Sequence, residues 1–217
     1  MKNALSHIKF RMVMLPLLIV FLPCQALSDE IVLIASQDTS ITEHPQAGGV
    51  SSSHGGDPVI LAIGSATFRS FPMFKFDLSD LAGSVLSGDA VFSVYLRDVH
   101  PKQANMQKNI SLYAWSSLDW DENTITFAQV EFPGGPTSRP SDLAQPELDT
   151  VSIDKSNQKS YIQFKVPQAL VQGWIDDPAS NHGLALVNER FEVGNDLVFN
   201  AKGLEKGTEP ILSFSIK

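Results

Sequence analysis

Tyr95, Tyr113 and Trp115 are the residues whose types and spacing first suggest chemistry. Each sits on the polar side of a stretch in which apolar and polar residues alternate, so each would leave a sheet on the face away from its greasy neighbours. An aromatic ring presented that way can stack against the C–H side of a sugar ring, with nearby polar groups bonding the hydroxyls. If the two stretches pair, the three rings form one platform. Arg97 and Lys102 follow Tyr95, and with His100 and Lys108 they make a segment in which Asp98 is the only acid. Such a local positive patch can attract an anionic sugar even on an acidic molecule, because charges more than about 10 Å away are largely screened at 0.1 M salt.

Other chemistry is less well supplied. Asp38, Glu43 and Asp57 offer oxygen ligands of the kind calcium takes, in a stretch without the spacing of a dedicated calcium loop; a structural calcium there would suit an exported acidic domain. The scattered histidines have no zinc spacing. Asp119, Asp121 and Glu122, or Asp176 with Asp177, could supply the paired carboxyls of a glycoside hydrolase, and Tyr95, Arg97 and His100 the groups of a polysaccharide lyase. Acidic neighbours in turns are far commoner than catalytic pairs. No nucleophile elbow, zinc-protease helix or phosphate loop is present, so the reading is non-catalytic.

The elements that must position these residues are strands. Ala90, Phe92, Val94 and Leu96 alternate with Val91, Ser93, Tyr95 and Arg97, and the same period recurs in Ile110–Trp115, Tyr161–Val166 and Leu212–Lys217. Further strands are predicted at Ile31–Ala35, Val59–Ile63, Phe71–Phe76, Gly183–Asn188 and Asp196–Asn200. Gly- and Pro-rich breaks separate them. Only the stretch after Pro167 has helical spacing, with Leu170, Val171, Trp174 and Ile175 before the Asp177-Pro178 stop. Glu131–Thr150, with four prolines, reads as a long surface loop. The pattern predicts an all-β chain: an antiparallel β-sandwich of jelly-roll type with one short helix.

The first 28 residues stand apart. Lys2, Lys9 and Arg11 precede the apolar run Met12–Pro23, and Ala26-Leu27-Ser28 offers small residues for cleavage, as a secretory signal peptide does. Twelve apolar residues reach about 18 Å as a helix, short of a hydrocarbon core of about 30 Å, so no membrane span is expected once the leader is removed. Residues 29–217 then form a single domain, secreted or periplasmic. Taking those three bases from 16 leaves 13 against 24 acids, a net charge of −11, which excludes nucleic acid as a partner. Cys24, the only cysteine, leaves with the leader, so the domain must be held by its core without disulfides.

Several phrases also stand in a familiar order: Asp38-Thr39-Ser40-Ile41, Phe74-Lys75-Phe76-Asp77-Leu78-Ser79-Asp80-Leu81, and Trp120-Asp121-Glu122-Asn123-Thr124-Ile125-Thr126-Phe127. Val171-Gln172-Gly173-Trp174, Asn181-His182-Gly183-Leu184 and Pro210-Ile211-Leu212 complete the set. In this order they resemble the DNRLRE-type domain, a secreted β-sandwich grouped with carbohydrate-binding modules and found beside polysaccharide-degrading enzymes and in disaggregatase-related proteins. The resemblance implies an exported, non-catalytic module whose partner is an extracellular or cell-envelope polysaccharide. The alternative from another class is a structural or adhesive component of a surface matrix, binding proteins through its sheet edges. A lyase or hydrolase stands third.

Overall fold

The computed structural model describes residues 28–43, 55–64, 69–99, 108–131, 139–188 and 196–217. Their eleven strands are β1 (Asp29–Ile34), β2 (Gln37–Glu43), β3 (Val59–Gly64), β4 (Arg69–Lys75), β5 (Ala90–Val99) and β6 (Lys108–Ala114). These are followed by β7 (Asp149–Ile153), β8 (Ser160–Val166), β9 (Leu184–Asn188), β10 (Asp196–Asn200) and β11 (Ile211–Ile216), with one helix, α1 (Gln168–Asp176), between β8 and β9.

All pairings are antiparallel. One layer is built on β5, the longest strand: β8 runs along one of its edges, while β11 and then β10 share the other. β1 closes this layer beyond β11. The second layer runs β2, β4, β9, β6, β7. β3 pairs with β10 of the first layer and, through Ile63–Ser70 and Gly64–Arg69, turns the corner into β4 of the second. Most successive strands thus cross between layers, β6–β7 and β10–β11 excepted, which is the jelly-roll form of an antiparallel β-sandwich.

The alternation read in the sequence fills the space between the layers. Phe92, Val94 and Leu96 of β5, Ile162, Phe164 and Val166 of β8, and Leu212 and Phe214 of β11 meet Phe74, Leu112, Leu184 and Leu186 of the second layer. The Phe74 and Phe92 rings touch across the gap at 4.9 Å between centroids. Each such side chain contributes about 1.5–3 kcal/mol by leaving water. Trp174 and Ile175 of α1 plug the same core at its rim, and Pro167 precedes the helix as expected.

The two layers differ on their outer sides. Beyond the second layer lies another apolar cluster, in which Ile41, Phe71, Met73, Tyr113, Trp115, Ala185 and Val187 are covered by Trp120, Ile125, Val130 and Leu143. Residues 116–148, expected in part as a loose surface loop, include this covering layer: Leu143 bridges to Trp115, and Arg139 lies over the Tyr113 ring at 5.1 Å. The described segments of that stretch are therefore packed, and 132–138 lie outside the described residues. The outer side of the first layer carries no such cover of chain among the described residues except the β10–β11 connection.

Two strands escaped the periodicity. β2 (Gln37-Asp38-Thr39-Ser40-Ile41-Thr42-Glu43) has one strongly apolar residue, and β7 falls at the end of the proline-rich stretch. β2 is held by its full ladder with β4 and by a Thr42–Ser70 hydroxyl pair at 2.8 Å.

Candidate functional site

The platform expected from Tyr95, Tyr113 and Trp115 does not form. It required β5 and β6 to pair, and they belong to opposite layers: β5 pairs with β8, β10 and β11, β6 with β7 and β9. Tyr113 is 0% exposed and Trp115 2%, both beneath the covering layer. Their side of β6 is apolar on the outside as well as the inside, which alternation alone cannot distinguish from a wet face. Lys108, read as part of the positive patch, is also fully buried at the start of β6; burial pushes its ammonium pKa down, opposed by the nearby Asp196 charge. His100 and Lys102 lie outside the described residues.

Tyr95 and Arg97 do come together, on the open outer side of the first layer. They line a cleft of about 470 Å³ with Lys159, Asn200, Leu204 and Glu205. Alternation along β5 sends Leu96 into the core and Tyr95 and Arg97 outward. The β5–β8 register places Tyr161 opposite Tyr95, and the two rings meet edge to face, 5.5 Å apart at 83°. Tyr161 is fixed from behind: its hydroxyl lies 3.1 Å from the carbonyls of Gly207 and Glu209. Burial, then the charge of Glu209 and the neighbouring Tyr95, raise its pKa, so the phenol stays a proton donor.

Lys159 enters the cleft from a strained position. Its φ of +62° is the left-handed region that a side chain disfavours by about 1–2 kcal/mol. A tight turn imposes it: Asp154 and Asn157 cap one another's backbone, Ser160 Oγ donates to Asn157 O, and Lys159 N donates to Leu96 O at 2.7 Å. On the opposite wall Asn200 is 2% exposed; its Nδ2 donates to Thr208 Oγ1 at 2.8 Å, while its Oδ1 has no hydrogen-bond partner among the described residues. A buried amide oxygen left without a donor costs about 1–3 kcal/mol. The cleft thus presents the Tyr95 ring, backed edge to face by Tyr161, with two cations, a carboxylate and an amide in its lining.

Of the three residues expected to hold calcium, the structure describes the side chains of Asp38 and Asp57. Asp38 is buried and engaged by the chain itself: the Lys202 N–H donates to its Oδ2, and its own N–H donates to Glu122 Oε2 at 2.9 Å. Lys202 Nζ lies 2.6 Å from Glu122 Oε2 and also donates to Ser36 O. Burial raises the Asp38 pKa to about 6, offset in part by the Lys202 N–H and ammonium. Asp57 is exposed beside β3, and the side chain of Glu43 lies outside the described residues. Among the described residues no group of three or more His, Cys, Asp or Glu could hold a metal ion.

The acidic pairs considered for hydrolysis also serve structure. Asp121 caps the turn through Asn123 N, Glu122 belongs to the Lys202 cluster, and Asp177 accepts from Ala179 N. Trp120 covers the sandwich end, its Nε1 donating to His182 O at 2.8 Å. A second cleft, of about 540 Å³, opens there between Lys75, Asp119, Trp174 and His182. Its Asn181 amide is satisfied within the chain by Phe76 O and Gly183 N.

Tyr161, Lys159, Asn200 and Glu205 were not singled out from the sequence. Tyr161 carried a signal, since it occupies an outward position in an alternating strand like Tyr95; what was missing was the β5–β8 pairing. Among the described residues no helix is long and apolar enough to cross a membrane. In comparisons with known proteins, no family model and no curated protein matches the chain.

Proposed function

We propose that this chain is a non-catalytic carbohydrate-binding module whose binding surface is the cleft around Tyr95 and Tyr161. The observation that carries this reading is the pair of tyrosine rings on the open side of the first layer, bordered by Arg97, Lys159, Asn200 and Glu205. Aromatic rings supply the stacking surface and the polar groups orient hydroxyls, which is the mixture a sugar site needs. The ordered resemblance to the DNRLRE-type domain and the leader-like first 28 residues favour an exported module whose ligand is an extracellular or envelope polysaccharide.

A glycan array probed with purified residues 29–217, alongside Tyr95→Ala and Tyr161→Ala, tests it. Binding that disappears in both variants while their unfolding curves stay cooperative supports the reading. Absence of binding to any glycan, with and without calcium, sinks it.

A second reading, a matrix component that binds protein, has its own observation. Val32 and Ile34 of β1 are each 55% exposed, on a strand whose outer edge pairs with nothing among the described residues. Such an edge can accept another strand. A stoichiometric protein partner in native co-purification, lost on Val32→Lys, would favour this reading over the first.

A further inference from the structure

Arg97 follows Leu96 and Lys159 precedes Ser160, the last pair of the antiparallel β5–β8 ladder, so the ladder brings two cations side by side at the lip of the cleft. Like charges placed opposite each other are destabilising. Among the described residues neither side chain has an ion pair or a hydrogen-bond acceptor. The nearest acid along the strand, Asp98, is occupied: its Oδ1 accepts from Val99 N and Gln158 Nε2. Glu205, on the other wall, is the acid that lines the cleft. In a chain with 24 acidic and 16 basic residues, two adjacent cations left unpaired, one of them on a left-handed backbone, mark a place kept for an anion.

We infer that the cleft takes an acidic saccharide, whose carboxylate or sulfate lies between Arg97 and Lys159 while its ring lies against Tyr95. This rests on the carbohydrate-binding reading and narrows its ligand class. Arg97 supplies a planar fork for a carboxylate or sulfate, and Lys159 a mobile point charge beside it. The Glu205 carboxylate accepts from hydroxyls on the far side of the ring. Glu205 opposes the anion in part, so the ligand's charged group must sit at the Arg97 end.

Titration calorimetry on residues 29–217 with three panels of tetrasaccharides decides the matter: uronates, sulfated neutral sugars, and neutral sugars, with acetate and inorganic sulfate as free-ion controls. The expected result is binding of one acidic panel at least about tenfold tighter than the neutral panel, weakening as salt is raised. Whichever acidic panel binds identifies the anion as carboxylate or sulfate. Arg97→Ala with Lys159→Gly should abolish that preference. Lys159→Gly alone should weaken acidic binding without lowering Tm, because glycine relieves the left-handed backbone, so a lost signal cannot be blamed on unfolding. Equal or tighter binding of neutral sugars overturns this inference and leaves the broader reading standing. Binding of no saccharide, or of acetate or sulfate alone, overturns both.

Discussion

Lys202 Nζ and Glu122 Oε2 lie 2.6 Å apart and join two loops that are distant in sequence, the connection between β10 and β11 and the turn that follows Trp120. Asp38 of β2 enters the same cluster through the Lys202 backbone N–H and feels the ammonium charge beside it. The cluster fastens the covering layer of the second sheet to the edge of the first. It also gives the resembling phrases around Asp38 and Trp120 a structural reason to occur together.

Removing the ammonium should be costly. Lys202→Met leaves Glu122 and Asp38 facing each other with less solvent than they need, and loss of about 1–3 kcal/mol is expected after allowance for the partial exposure of the pair. Urea unfolding of the variant against the parent chain measures it; an unchanged midpoint would show the cluster to be ornamental.

Asp38 gives the fold a pH dependence with a definite sign. Its folded pKa, about 6, lies above the ordinary 3.8, so the folded chain binds the extra proton more tightly than the unfolded one does. Stability therefore falls as pH rises from 3.8 to about 6 and stays reduced above it, by up to about 3 kcal/mol from this group. Asp38→Asn keeps an oxygen for the Lys202 N–H and leaves the Lys202–Glu122 pair neutral. Its unfolding free energy should be higher near neutral pH and flatter across that window than the parent's.

Trp115 and Tyr113 should behave as core residues. Trp115→Ala removes a side chain that is 2% exposed and packed under Leu143, for an expected loss of about 3–5 kcal/mol, or failure to fold. Tyr95→Ala, by contrast, should leave the free energy of urea unfolding within about 1 kcal/mol of the parent while removing ligand binding. The two variants side by side, read by denaturation and by glycan binding, separate the covering layer from the cleft.

Gly183 ends the turn before β9 with φ +87°, and a Cβ there would stand 2.3 Å from the Phe74 carbonyl oxygen. Gly183→Ala should destabilise by more than about 1 kcal/mol through backbone strain and that clash together. A thermal scan in which the variant melts with the parent would contradict the close approach of these two strands.

How far the sequence carried the structure depends on which face is asked about. Phe92, Val94, Phe164 and Leu212 were legible because one dry side and one wet side produce alternation, and the helix was legible from Pro167 and its 3.6-residue spacing. β2 was not, because its side chains serve hydroxyl and carboxylate contacts that have no hydrophobic period. Tyr113 and Trp115 were misplaced because a second dry side, roofed by the chain's own loop, looks like polar exposure when the intervening residues are Ser111 and tyrosine. The cleft was half legible: Tyr95 and Arg97 announced themselves, whereas Lys159 and Asn200 join them, and Tyr161 backs Tyr95, only through the pairing of β5 with β8 and β10. That pairing is long-range information, set by crossing between layers rather than by neighbouring residues.

The roof over the second sheet has a consequence for how copies of this molecule could be arrayed. If the cleft binds a polymer as proposed, a single copy has its binding side on the first layer, because the described residues of its own polypeptide cover the second. On that reading, gains in avidity come from copies laid side by side in the same orientation, like tiles whose glazed sides all point one way.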